Sequence, residues 1–259
     1  MNIFLYTIIF MMGAMFGSFF TLAVYRIPLK KDITHERSFC PNCNHRLEFL
    51  DLIPIFSYIF LGGKCRYCGQ KIRIRYLFLE VLSGVVFLLA FMSFNIDFWN
   101  IEITKIAGFC FFVFMYIVVI LIAGIDKEYK KVENSVLVFG AVIQIIYILY
   151  LYIIEEATMY RYSIYCAIFI LFLVLNFFIN KKEKNYMLQI ATFCMYILAN
   201  VGFINWAAIM LVALGIIFVY KMISKKQNTQ PQIVPAAFFI SIPAICYIII
   251  NNFITYRGM

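Results

Sequence analysis

Lys105-Ile-Ala-Gly-Phe-Cys-Phe-Phe-Val-Phe-Met-Tyr-Ile-Val-Val-Ile-Leu-Ile-Ala-Gly-Ile125 carries a charge only at its first residue, and the next charged residue is Asp126. A helix rises about 1.5 Å per residue, so this run alone covers the roughly 30 Å of a bilayer's hydrocarbon core. Runs of the same kind recur at 1–25, 77–94, 135–154, 160–179, 186–201, 206–223 and 235–250. They predict an all-α, polytopic membrane bundle of about eight transmembrane helices. Composition agrees: 64% of the 259 residues are hydrophobic and 14% charged, more apolar surface than a water-soluble core of this length can bury.

The net charge of +9 is scattered among short links rather than gathered on one folded face, which argues against nucleic acid and leaves the lipid bilayer as the expected partner. If 26–75 faces the cytosol and the chain alternates from there, the same side receives all nine lysines between Lys127 and Lys226. Lys105, Arg161 and Arg257 fall on the other side. Positive residues concentrate on the cytosolic side of membrane proteins, so this asymmetry supports both the span count and a cytosolic 26–75. The first run lacks a basic start and an Ala-x-Ala-like cleavage site, and is expected to be an anchor rather than a signal peptide. The expected organisation is a first transmembrane helix at 1–25, a cytosolic cysteine-rich loop at 26–76, and a transmembrane bundle at 77–259.

That loop contains Cys40-Pro-Asn-Cys43 and Cys65-Arg-Tyr-Cys68. Two such knuckles can place four thiolates around one tetrahedral ion, and zinc is the usual occupant of a four-sulfur site. In a reducing cytosol paired CxxC motifs point to metal rather than disulfides. The 21 residues between the knuckles exceed the common zinc-ribbon spacing slightly, and a metal-free loop is the plain alternative. His45 is a spare candidate ligand, but four cysteines already complete a tetrahedron, so it is expected to be a solvated loop histidine. Cys110, Cys166, Cys194 and Cys246 lie in separate apolar spans and are expected to pack as small hydrophobes. Gly13 and Gly17 form a small-xxx-small spacing suited to close helix packing.

The first third of the chain resembles the prepilin leader peptidases. The resemblance rests on Gly17-Ser-Phe-Phe-Thr-Leu-Ala-Val-Tyr-Arg-Ile-Pro28, Ser38-Phe-Cys-Pro-Asn-Cys43, Asp51-Leu-Ile-Pro54, Ser57-Tyr58, Lys64-Cys-Arg-Tyr-Cys-Gly69 and Ile74-Arg-Tyr-Leu-Phe-Leu-Glu80, in that order. It implies an intramembrane aspartic peptidase of a bacterial inner or cytoplasmic membrane, acting at the cytosolic face on prepilin or pseudopilin precursors of pili, type II secretion or competence. It also implies N-methylation of the new amino terminus with S-adenosylmethionine.

An aspartic peptidase needs two carboxylates, one protonated and one ionised, across an attacking water. The family's first aspartate corresponds to Asp126 in Ala123-Gly-Ile-Asp126; its second sits in a Gly-x-Gly-Asp motif. After Asp126 this chain has no aspartate at all. The best overlay puts Asn185 at the second acid, with Glu183 and neighbouring lysines where the motif's glycines belong. Asn cannot ionise, so a pair of Asp126 and Asn185 is expected to orient a water without cleaving. Glu183 is the substitute acid if the link shifts by two residues. The competing readings are a processing enzyme, a non-proteolytic paralogue, and a zinc-stapled membrane scaffold in pilus, secretion or competence assembly.

Overall fold

A computed structural model of the chain describes residues 2–33, 35, 37–96, 102–156, 158–179, 185–226 and 233–257. The described helices are α1 (Asn2–Arg26), α2 (Phe56–Phe60), α3 (Arg75–Ser93), α4 (Ile103–Tyr129), α5 (Asn134–Ile153), α6 (Met159–Ile179), α7 (Tyr186–Val201), α8 (Phe203–Lys226) and α9 (Ala236–Arg257). Among the described residues, extended pairing is limited to two isolated bridges. Helices are the expected outcome, because a bilayer offers no partner to unpaired backbone N–H and C=O groups.

Seven of these helices are long and apolar enough to cross a membrane, which makes this a multi-pass membrane protein. The eighth expected span, α7, has 16 residues and reaches only about 24 Å. It can be short because most of its length packs against protein: Gln189, Thr192, Phe193, Tyr196, Ile197, Leu198, Ala199 and Val201 are buried. Gly202, at φ +81°, separates it from α8 by a single residue.

The chain forms two compact units that divide within α4: residues 1–109 with 256–259, and residues 110–255. In the first, α1 packs on α3 through glycines. A Cβ on Gly13 would stand 2.6 Å from the Ser83 carbonyl oxygen, and one on Gly17 2.7 Å from that of Leu79. The spacing of small residues in α1 therefore marks a true helix contact. Arg26, the last residue of α1, is buried, and its guanidinium donates to the carbonyls of Asp32 (2.9 Å) and Arg37 (3.3 Å), fastening the start of the cysteine loop to the helix end.

In the second unit α4 buries Met115, Tyr116, Val118, Val119, Leu121, Ile122, Ala123, Ile125 and Asp126. Gly140 of α5 lets α4 and α7 approach: a Cβ there would lie 2.8 Å from the Tyr196 ring and 3.3 Å from Val118. Buried amides complete the packing. Gln189 Oε1 accepts the Val132 N–H (3.1 Å), and Asn176 Nδ2 donates to Asn134 Oδ1 (2.9 Å). By contrast only 11% of the apolar window of α8 is buried, as a lipid-facing helix requires.

Candidate metal centre and buried acidic site

The two cysteine knuckles fold as copies of one turn. In the first, the Cys40 N–H donates to the His45 carbonyl (3.0 Å) and the Asn44 N–H to the Cys40 carbonyl (2.8 Å). In the second, the Cys65 N–H donates to Gln70 (2.8 Å) and the Gly69 N–H to Cys65 (3.0 Å). Each turn needs a left-handed residue after its second cysteine, supplied by Asn44 (φ +55°) and Gly69 (φ +70°), two of the residue types that adopt it at least cost. The bridges Phe39–Arg46 and Lys64–Lys71 close the two turns. The long gap between knuckles is taken up by α2 and by Gly62 and Gly63, both at positive φ, after which the Ile72 N–H returns to the Gly63 carbonyl at 2.7 Å.

As a result all four Sγ atoms of Cys40, Cys43, Cys65 and Cys68 lie within 4.8 Å of one another. Cys40 Sγ and Cys68 Sγ are 3.8 Å apart, the edge length of a tetrahedron with Zn–S bonds of about 2.3 Å. The donor set fits zinc, and four cysteines would leave no open position on a tetrahedral ion. His45 is not in the cluster; its ring stacks on Tyr67 at 3.6 Å. Asp51 supports the second knuckle, accepting from Arg66 Nε (2.8 Å) and the Tyr67 hydroxyl (3.3 Å).

Backbone amides favour the thiolate form of Cys40 and Cys68. The Gln70 N–H, with help from the Asn42 amide, pulls the Cys68 thiol down to about 6. Burial opposes ionisation of Cys40, yet the Cys43 and Asn42 N–H groups outweigh it and lower that thiol too. The His45 N–H favours the Cys43 thiolate, but desolvation and the thiolates of Cys40 and Cys68 beside it push Cys43 up to about 11. Without a cation, neighbouring thiolates disfavour a further negative charge on Cys43. A divalent ion reverses that preference.

Between the knuckles is a feature that sequence patterns did not single out. Ile55, a β-branched residue, has φ +66° and ψ −54° and forms a γ-turn in which the Phe56 N–H donates to the Pro54 carbonyl at 2.7 Å. Its own N–H donates at 2.7 Å to Oε2 of the buried Glu80 on α3, which also bonds the Ser18 side chain on α1. One carboxylate thus ties both helices to a strained turn in the loop. A hydrophobic run containing Pro54 gives no hint of positive φ at the next residue.

In the second unit Asp126 occupies the last turn of α4 and is wholly buried. Its Oδ1 accepts the Tyr186 hydroxyl at 2.7 Å, and its Oδ2 the Phe238 N–H at 3.2 Å. The Ala237 N–H points at the same carboxyl. These amides belong to the first turn of α9, where backbone N–H groups lack helical partners and the helix dipole favours negative charge. Asp126 therefore caps α9 from a neighbouring helix. Tyr186 completes the arrangement, lying 3.0 Å from the Val234 carbonyl and accepting the Ala236 N–H at 3.1 Å.

Asn185 serves elsewhere: its Oδ1 accepts the Leu188 N–H at 3.2 Å as the N-cap of α7. Where the overlay expected Asn185 opposite Asp126, the next residue's phenol fills that place. Glu183 lies outside the described residues.

Residues 11–94 match the family model described as the Bacterial Peptidase A24 N-terminal domain. That stretch encloses the cysteine module, Ser18 and Glu80. Over this part the chain is similar to proteins named prepilin leader peptidase/N-methyltransferase. It is 34% identical over 133 residues to a prepilin leader peptidase/N-methyltransferase of Bacillus subtilis, covering 51% of this chain and 50% of that protein. The like-named protein of Myxococcus xanthus is 36% identical over 95 residues, 37% of this chain and 28% of its own length. That of Klebsiella pneumoniae is 38% identical over 88 residues, 32% and 39%. The chain thus spans half or less of the length of these relatives. No solved structure matches it significantly. Asp126 and Tyr186 fall beyond the matched domain, so their chemistry has to be argued from geometry.

Proposed function

We propose that this chain is a non-proteolytic member of the prepilin peptidase family that binds prepilin or pseudopilin precursors at the cytosolic face of a bacterial inner or cytoplasmic membrane. The observation that carries the reading is the state of Asp126. Both carboxyl oxygens are taken up by Tyr186 and the start of α9, and no other aspartate follows in the chain. Peptide hydrolysis by a carboxylate pair needs a water held between two acids that exchange a proton. A phenol titrates near 10 and is no base at neutral pH. The amide of Asn185 is neither acid nor base.

What remains is the part of the chain that most resembles the family: a zinc-stapled module fixed to α1 and α3 by Arg26 and Glu80. Its role is recognition of the precursor. N-methylation, the second activity for which the relatives are named, would draw on S-adenosylmethionine. The cavity of about 630 Å³ beside the module is lined, among described residues, by His35, Arg37, Phe39, Asn44 and Arg46. Two guanidinium groups suit a carboxylate or phosphate, and the methyl donor carries one carboxylate beside its sulfonium.

Co-expression with a prepilin, using an intact family enzyme as positive control, tests the reading. The expected result is an uncut precursor that co-purifies with the wild-type chain and equally with Asp126→Asn. Cleavage abolished by Asp126→Asn would overturn it, and cleavage abolished by Glu183→Gln would assign Glu183 as the second acid.

A further inference from the structure

At the end of the second unit opposite Asp126, the chain leaves a polar hollow of about 210 Å³. That is room for roughly seven waters at their liquid volume, or for one small polar group. Arg161 at the start of α6, Asn200 at the end of α7, Asn205 near the start of α8, and Tyr247 and Asn251 on α9 form its wall. The helix break at Gly202 shapes it. Gly202 has φ +81° and ψ 165°, a conformation open essentially to glycine alone, and a Cβ there would come within 3.9 Å of the Arg161 guanidinium.

Hydrogen-bond accounting defines what would fit. Arg161 rests against the Tyr162 ring at 5.0 Å, and no acid pairs with it among the described residues. Asn251 Oδ1 accepts the Tyr247 hydroxyl at 3.2 Å, which leaves its amide hydrogens for another acceptor. One Asn200 amide hydrogen goes to the Tyr196 carbonyl at 2.7 Å, while Oδ1 is buried without a hydrogen-bond partner among the described residues. The hollow therefore offers a cation and an amide donor beside an orphan acceptor. A bare anion satisfies the first two and leaves Asn200 unpaired, at the usual desolvation penalty. The complementary ligand is an anion that carries its own donor.

Its surroundings point to lipid as the source. Phe203, Ile204, Tyr160 and Ile164, next to the lining residues in sequence or one helical turn away, are exposed apolar side chains on membrane-spanning helices. They provide a surface for acyl chains alongside a polar head, at the depth where arginine and tyrosine meet headgroups. We propose that this hollow binds a phospholipid headgroup, with its phosphodiester against Arg161 and its amine or hydroxyl donating to Asn200 Oδ1.

Purified full-length chain in detergent, titrated with short-chain phosphatidylethanolamine, phosphatidylglycerol or phosphatidylcholine and followed by native mass spectrometry, tests this. Phosphatidylethanolamine and phosphatidylglycerol should bind about tenfold more tightly than phosphatidylcholine, which has no headgroup donor. Arg161→Gln should weaken both by about tenfold, whereas Arg161→Lys, which keeps the charge, should stay within about threefold. Asn200→Ala should erase the preference over phosphatidylcholine. Equal binding of all three lipids by the wild type, or unchanged binding by a folded Arg161→Gln protein, would overturn the proposal. So would inorganic phosphate displacing the lipid at equal concentration, since the ligand would then be a free anion.

Discussion

Tyr186→Phe removes a single oxygen that lies 2.7 Å from Asp126 Oδ1, 3.0 Å from the Val234 carbonyl and 3.1 Å from the Ala236 amide nitrogen. The hydroxyl has one proton, and the carboxyl at the shortest distance takes it. Losing a hydrogen bond to a carboxylate costs about 1.5–3 kcal/mol, and leaving the Ala236 N–H without its acceptor adds about 1 kcal/mol. A total of about 3 kcal/mol corresponds to a melting temperature lower by roughly 6–12 °C for a chain of this size. The assay is thermal unfolding of purified protein in one fixed detergent at neutral pH, for wild type, Tyr186→Phe, Asp126→Asn and the double variant. If the Asp126–Tyr186 pair acts as one clamp on the start of α9, the two changes should couple by about 1–3 kcal/mol. A Tyr186→Phe protein that melts within about 1 °C of wild type, or strictly additive single effects, would refute the clamp.

Purified protein should hold zinc at about one equivalent, lost when Cys40 and Cys65 are changed to Ser together. After metal removal, alkylation at neutral pH should label Cys68 well before Cys43, both exposed, because Cys68 is pulled down to about 6 and Cys43 pushed up to about 11. Lowering the pH through 6 should slow Cys68, whose thiolate is lost there; mass spectrometry finding Cys43 labelled first would sink this assignment. Glu80→Ala should leave the Ile55 N–H unpaired and release its strained turn, seen as faster proteolysis within 49–64, whereas Glu80→Gln keeps an acceptor and should resemble wild type. Equal cleavage of Glu80→Ala and wild type would show that the turn holds without the carboxylate.

Helices were legible because a bilayer imposes one rule on every span: enough consecutive apolar residues to cross it. Runs such as 105–125 satisfy that rule without reference to any partner. Only α7 departs from it, and its neighbours account for the exception, since a helix packed in protein need not match the hydrocarbon thickness. The cysteine module was legible for a related reason. Ligand spacing is a local property, and the two knuckles differ only in how each obtains its left-handed residue. Arg26, by contrast, counted in the sequence only as a charge flanking the first span. Its burial depends on carbonyls six and eleven residues away, which no local pattern specifies.

The acidic site was harder to read, because its meaning depends on contacts between distant segments. Asp126 meets residues 60 and 112 positions further along the chain. From spacing alone, Asn185 was the natural partner by overlay on a family motif. Yet an asparagine immediately before a helix is also the ordinary choice for an N-cap, and capping turns it toward its own helix. Once Asn185 caps α7, the adjacent Tyr186 is the side chain that reaches Asp126. The start of α9, with amide hydrogens and no helical acceptor, supplies the other donors. Each step is ordinary helix-terminus chemistry, and together they place Asp126 against the first turn of α9. On the proposed non-proteolytic reading, Asn185→Asp alone should not confer cleavage, because it would cap α7 equally well and Tyr186 would still occupy Asp126.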